Sequence, residues 1–183
     1  MSFFSATEID RWLNQIDNAK PLMRIGIYGA YFPEKDHDVL IRLRDKLSEE
    51  GFSATYLVED IQDRGRLGSD NFLKSKFSLE QSNINLFVST FTGMAQGYTV
   101  ELQHVLSNLE LIFKSCILPE TEYDENKNEI HSALTSLLEQ DIAGINFKVS
   151  KWIRGNFEDL VEAAKAQIDG LYYYVKHRPN ELT

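Results

Sequence analysis

A repeated alternation of two periodicities constrains this sequence more than any other feature. Short runs of β-branched and aromatic residues give way to loops, and then to stretches in which apolar residues recur every three or four positions. Residues 23–28 (MRIGIY) read as a first strand that runs into Gly29-Ala30-Tyr31-Phe32-Pro33. Residues 38–47 place apolar side chains at 39, 40, 43 and 47, with Gly51 behind them as a stop, and predict a helix. Residues 52–58 read as a second strand, followed by a solvated loop crowded with Glu59, Asp60, Asp63, Arg64, Gly65, Arg66 and Gly68, then a helix over 70–81. Residues 85–90 form a third apolar strand, 91–97 a loop rich in small residues, and a helix is expected from about Tyr98, with Val100, Leu102, Val105 and Leu106 as its packing face. Residues 111–118 read as a fourth strand closed by Pro119, and 119–129 as an acidic surface loop. A helix over 130–138, a fifth strand over 145–149 and a closing helix over 157–175 complete the alternation.

Strands separated by helical stretches need right-handed crossovers, so the expected fold class is α/β: a three-layer, doubly wound, mainly parallel five-stranded sheet of the flavodoxin-like kind. At 183 residues the chain fits one domain, 1–183. Ahead of an α/β core over 23–176, residues 1–20 form a lead-in helix, with Ile9, Trp12, Leu13 and Ile16 at helical spacing and Ser5 and Glu8 placed as a capping box.

A formal net charge of −9 repels phosphate backbones, which removes duplex nucleic acid from the expected partners. The lone Cys116 excludes an intramolecular disulfide framework and a multi-cysteine metal site, and no metal or cofactor is expected. No apolar run is long enough to span a bilayer, and Glu8 and Asp10 stand where a secretory signal needs a basic start, so the expected location is the cytoplasm, away from membranes.

In an open parallel sheet, ligands settle beyond the carboxyl ends of the strands, where the strand order reverses. That rule selects Tyr28, Gly29 and Tyr31 after the first strand, and the segment from Thr90 to Glu101 after the third. Thr90, Thr92, Gly93, Gly97 and Tyr98 are the candidate ligand-binding residues of the second segment. A helix opening at 97–99 would turn free N–H groups toward an anion. Glu101, expected in that helix's first turn, can present its carboxylate to the same cleft as a nucleophile or as a counter-charge to an oxocarbenium-like centre. The plainer account is an acid favoured at a helix start by the dipole alone.

Ile27-Tyr28-Gly29 at the end of the first strand, and Gly97-Tyr98-Thr99-Val100-Glu101 after the third, resemble the nucleoside 2-deoxyribosyltransferase-like family, which includes nucleotide N-glycosidases. The resemblance spans roughly residues 23–118 in element order and rests on short motifs. It implies that Glu101 is the nucleophile at the anomeric carbon, that Thr92, Gly97 and Tyr98 line the sugar or phosphate pocket, and that Tyr28 and Gly29 form its other wall. It also implies a small-molecule nucleoside or nucleotide partner and a homodimer, because a neighbouring subunit often completes the family's pocket. The chain departs from the family in having no acid from Gln81 through Val100, where an aspartate usually helps to protonate the leaving base, and Ser82-Asn83 stands in place of an Ala-Asp opening of the third strand. The expected function is therefore N-glycosidic bond cleavage or base transfer. The alternatives are a catalytically degenerate nucleotide-binding or sensing module and a protein resembling Toll/interleukin-receptor-type NAD hydrolases.

The remaining chemistry-bearing residues are read as structural. His37 lies close to the first glycine loop and could touch a ligand phosphate there, but is read as a solvated helix start; His104 shares a helix face with Glu101 and could perturb its protonation, but is read as ordinary spacing. Cys116 sits in an apolar strand, and Arg64 and Arg66 balance nearby acids. No GxGxxG or GxxxxGK[ST] motif occurs. Three successive tyrosines, 172–174, point in three directions around the last helix, so at least one is expected to reach a surface for self-association.

Overall fold

A computed structural model describes residues 5–65, 70–93, 96–123, 125, 129–131 and 148–177. Helix α1 (Ala6–Ala19) leads into strand β1 (Ile25–Gly29), followed by α2 (Glu34–Glu49), β2 (Thr55–Leu57), α3 (Asn71–Gln81), β3 (Ile84–Ser89) and α4 (Gln96–Leu106). Then come α5 (Leu109–Phe113), β4 (Ser115–Tyr123), β5 (Glu129–His131), β6 (Lys148–Val149), β7 (Trp152–Ile153) and α6 (Phe157–His177).

The strands join in the order β2-β1-β3-β4, with β6 and β7 together in the fifth position beside β4. All of these pairings are parallel, and the hairpin partner β5 is antiparallel to β4. This is the flavodoxin-like order, and it reverses between β1 and β3.

Alternation along the strands divides the interior in two. Ile25, Ile27, Leu86, Val88, Cys116 and Leu118 face a large cluster shared with Leu40, Leu43 and Leu47 of α2 and with Leu160, Val161 and Ile168 of α6. Tyr28, Phe87 and Ile117 face a smaller cluster completed by Leu79, Leu102, Val105, Leu111 and Ile112. Two glycines of β1 are demanded by packing. A Cβ on Gly26 would meet the Tyr28 hydroxyl at 2.6 Å, and one on Gly29 would meet the Val88 carbonyl oxygen at 2.7 Å and Leu40 at 2.8 Å.

The fourth strand differs from expectation. Residues 109–113 are helical, with the Asn108 side chain accepting from the Glu110 N–H at 3.0 Å as an N-cap, and β4 begins only at Ser115. The strand then continues through Pro119 to Tyr123, so residues 119–123 are not loop. A proline is tolerated there because the ladder on the far side is broken between Val149 and Trp152, and the missing N–H leaves no bond unmade. Glu129–His131 form β5 where a helix was expected; the rest of that span, 132–138, and residues 145–147 of the expected fifth strand lie outside the described residues. So do the side chains of Tyr173 and Tyr174. Among the described residues no helix is long and apolar enough to cross a membrane.

Candidate functional site

The carboxyl ends of β1 and β3 lie side by side, in register from Ile25 and Ile84 through Gly29 and Val88. The loop after each strand is fixed to the other. Gly93 has no room for a side chain, because a Cβ would come within 2.6 Å of both the Ala30 Cβ and the Thr90 Oγ1. The Thr90 hydroxyl accepts from the Gly93 N–H at 3.0 Å. Asp36, buried in the first turn of α2, holds the Thr92 hydroxyl at 2.9 and 3.0 Å from its two oxygens. On the opposite flank Glu120, buried near the end of β4, accepts from the Phe91 N–H at 2.8 Å. Two buried carboxylates thus clamp the loop that leads into α4, and the loop's N–H and hydroxyl donors supply the partners those carboxylates need.

Glu101 lies in the second turn of α4 and not the first, because the helix starts at Gln96. The dipole preference for acids in an opening turn therefore does not account for it. Burial pushes its carboxyl up from the ordinary 4.5 to about 7, partly opposed by a short hydrogen bond donated by the Ser75 hydroxyl of α3. Tyr28 of β1 and Tyr31 of the loop behind it hold their protons more tightly than a free phenol, chiefly through burial, with the charge of Glu101 a smaller contribution to each. Gly97 and Tyr98 fall in the first turn of the same helix, and the Tyr98 side chain lies outside the described residues, as do Met94 and Ala95.

Tyr28 is buried in the smaller core cluster, stacked on Phe87 at a centroid distance of 4.9 Å. Its hydroxyl is engaged 2.5 Å from the Ser78 Oγ and 3.3 Å from the Asn85 Oδ1. It supports the floor beneath Glu101 and does not reach the surface. Gly29 is likewise enclosed, between α2 and β3. Tyr31 and Phe32 are the residues of the β1 loop that remain open, 40% and 66% exposed. Desolvation of the Tyr31 hydroxyl, followed by the charges of Glu59 and Glu101, raises its pKa well above the usual phenol range.

Tyr31 joins two groups that sequence patterning had assigned to solvent. Its ring lies against His37 of α2, with centroids 4.7 Å apart, and the His37 Nε2 lies 3.0 Å from the Glu59 Oε1 in the turn after β2. Tyr31, His37 and Glu59 are thus joined beyond the carboxyl ends of β1 and β2, and Glu101, bonded to Ser75, is near enough for its charge to act on Tyr31. Ser75, Asp36 and the His37–Glu59 pair went unmarked in the sequence. Only Asp70, whose side chain caps α3 by accepting from the Phe72 and Leu73 N–H groups at 3.0 and 3.2 Å, signalled where the helix bearing Ser75 begins. One turn beyond Glu101, the His104 Nε2 is buried without a hydrogen-bond partner, 3.9 Å from the Glu80 Oε1. No group of three or more His, Cys, Asp or Glu side chains able to hold a metal ion occurs among the described residues.

No protein-family model and no curated protein matches the chain. Among solved structures, it is similar to a metal-soaked flavodiiron core from Synechocystis sp. PCC6803, with a TM-score of 0.49 and 13% identity over 93% of this chain. The chain spans 40% of the length of that neighbour.

Proposed function

We propose that this protein binds a nucleoside or nucleotide over the ends of β1 and β3 and cleaves or exchanges its N-glycosidic bond, with Glu101 facing the anomeric carbon. The observation that carries the reading is the state of Glu101: a carboxyl desolvated beside the strand-order reversal, with its affinity for a proton near neutrality and one hydroxyl donor from Ser75. A carboxylate so poorly compensated at rest gains most when positive charge develops beside it. An oxocarbenium-like centre supplies that charge, so the interaction strengthens in the transition state more than in the bound substrate. The ionised carboxylate then bonds to the anomeric carbon as the base departs with the electron pair of the C–N bond. Water, or a second base, completes hydrolysis or exchange.

Free base released from ribonucleosides, deoxyribonucleosides, nucleoside monophosphates and NAD, separated by chromatography, tests the reading. Glu101→Gln should lower release by on the order of 10³-fold or more. For the wild type, kcat/KM should fall as pH drops through about 7, because the nucleophile must be ionised. Release that survives the substitution removes Glu101 from this role.

A second reading, binding without turnover, is favoured by one observation. The other carboxylates described around the cleft are already engaged, Asp36 by Thr92 and Glu59 by His37. On that reading a nucleotide, or NAD, raises the melting temperature with no base released, by about 2.7 kcal/mol of stabilisation at 100 times the dissociation constant. We further propose a cytoplasmic homodimer. The buried, unpaired-by-disulfide Cys116 suits a reducing compartment, and sedimentation tests the dimer.

A further inference from the structure

Breaking an N-glycosidic bond leaves a base that must take up a proton, and the nucleophile cannot also supply it while ionised. This step rests on the reading above and asks which group donates. Asp36 is turned to Thr92, and Glu120 to the Phe91 N–H. The Tyr31 phenol is held neutral far into alkaline pH, so it is a poor donor. The His104 Nε2, one turn beyond Glu101, is shut away from solvent beside Glu80, which leaves His37 and Glu59. They come from separate elements, meet at 3.0 Å, and keep side-chain exposures of 23% and 43%, so the pair is reachable from the cleft. The Tyr31 ring packs on the imidazole and at the same time lies within the electrostatic reach of both Glu59 and Glu101. His37 stands in the first turn of α2, directly after β1, and Glu101 in the second turn of α4, after β3, so both belong to the carboxyl-end edge of two paired strands. A carboxylate bonded to one ring nitrogen orients an imidazole and leaves the other nitrogen to donate.

We propose that His37, oriented by Glu59, is the acid that protonates the departing base. As the C–N bond breaks, its electron pair goes to the base, and the free imidazolium N–H transfers its proton to a ring nitrogen of that base. His37 is left neutral while Glu101 is bonded to the sugar. A water attacking the glycosyl–enzyme then gives its proton back to His37 and its oxygen to the anomeric carbon, which restores both groups. Glu59 touches neither substrate nor sugar and is a positioning residue.

The experiment compares ordinary purine nucleosides with their N7-methylated counterparts, whose base leaves as a neutral molecule and needs no proton. In the full chain, His37→Asn should lower kcat/KM for ordinary nucleosides by ~10² to 10⁴, yet change turnover of the methylated ones by less than about threefold. Glu59→Gln should show the same selectivity in weaker form, whereas Glu101→Gln should abolish both activities. Equal loss on both substrate types, or no loss on either, overturns the assignment while leaving the glycosidic reading standing. A wild type that releases base from neither substrate type overturns both. His37 and Glu59 are partly exposed, and an unchanged melting temperature would show that the variants fold.

Discussion

The two faces of the sheet are built differently, and the contrast shows where this fold can hold chemistry. Beneath α2 and α6 the buried cluster is mostly aliphatic; its heteroatoms are the sulfurs of Met23 and Cys116, the thiol proton of Cys116 held tightly by burial, and the Trp152 indole N–H, which donates to the Leu118 carbonyl. Beneath α3, α4 and α5 the same strands turn Tyr28, Asn85 and Ser115 inward beside Phe87 and Ile117. Asn85 binds the Leu79 carbonyl at 3.4 Å and the Ser115 hydroxyl at 3.2 Å. Ser115 in turn donates to the Leu111 carbonyl at 2.6 Å. Lys114, also buried, caps the end of α3 by donating to the Glu80 and Ser82 carbonyls at 2.8 and 3.0 Å, and burial lowers its pKa. A hydrocarbon interior makes a stable scaffold, and what α2 contributes beyond it, Asp36 and His37, comes from its opening turn above the strand ends. The polar face gives up some hydrophobic burial, and Glu101 stands at its open end.

The largest effect that would test this contrast is on the apolar face. Leu43 is fully buried among α2, the sheet and α6, and Leu43→Ala should cost ~2 to 5 kcal/mol by lost transfer energy and an unfilled cavity. Denaturant unfolding measures it. Base release by the fraction still folded should be unaltered, since Leu43 faces the interior cluster and makes no contact with the groups at the start of α2. A comparable loss of activity per folded molecule would mean the faces are coupled.

Glu101→Gln comes next, with the opposite sign. The folded carboxyl titrates near 7 and the unfolded one near 4.5, so between those values the native state holds the extra proton. Its contribution to stability is intact below pH 4.5 and is lost as pH rises to about 7. A neutral glutamine avoids that loss while still accepting from Ser75. The variant should therefore match the wild type at pH 4 and exceed it above pH 7, by no more than about 3 kcal/mol at 1.36 kcal/mol per pKa unit. Equal pH profiles for the two proteins would show that Glu101 is solvated, and would remove the reason for choosing it.

The same contrast explains what could be read from the sequence. Scaffold positions repeat with a period, so β1, α2, β2, α3, β3, α4 and α6 were all legible within a few residues. The largely apolar run 111–118 was not, because a short helix followed by a strand looks like one strand when apolar residues flank a single Lys114 on both sides. Asn108 was the available sign of a helix start. Pro119 misled for a related reason: it ends a strand only where its N–H is needed, and the break in the neighbouring ladder is a tertiary fact. In the site, Glu101 was found from position alone. Ser75 lies 26 residues from it, Glu59 lies 22 from His37, and Asp36 lies 56 from Thr92, so no local pattern links these pairs.

Tyr28→Phe probes the polar face with the smallest expected change. The ring stays stacked on Phe87, and no cavity larger than an oxygen opens above Gly26. Ser78 keeps the Tyr56 hydroxyl at 3.1 Å, and the Asn85 carbonyl keeps the hydroxyl of Ser82, so neither partner is orphaned. The cost should be about 1 kcal/mol, the net value of one hydrogen bond, and not the ~1 to 3 kcal/mol of a stranded buried group. Thermal unfolding beside Leu43→Ala gives the comparison directly. A Tyr28→Phe penalty as large as the leucine truncation would mean that the network behaves as one cooperative unit, and that the polar face is held together more tightly than its separate hydrogen bonds imply.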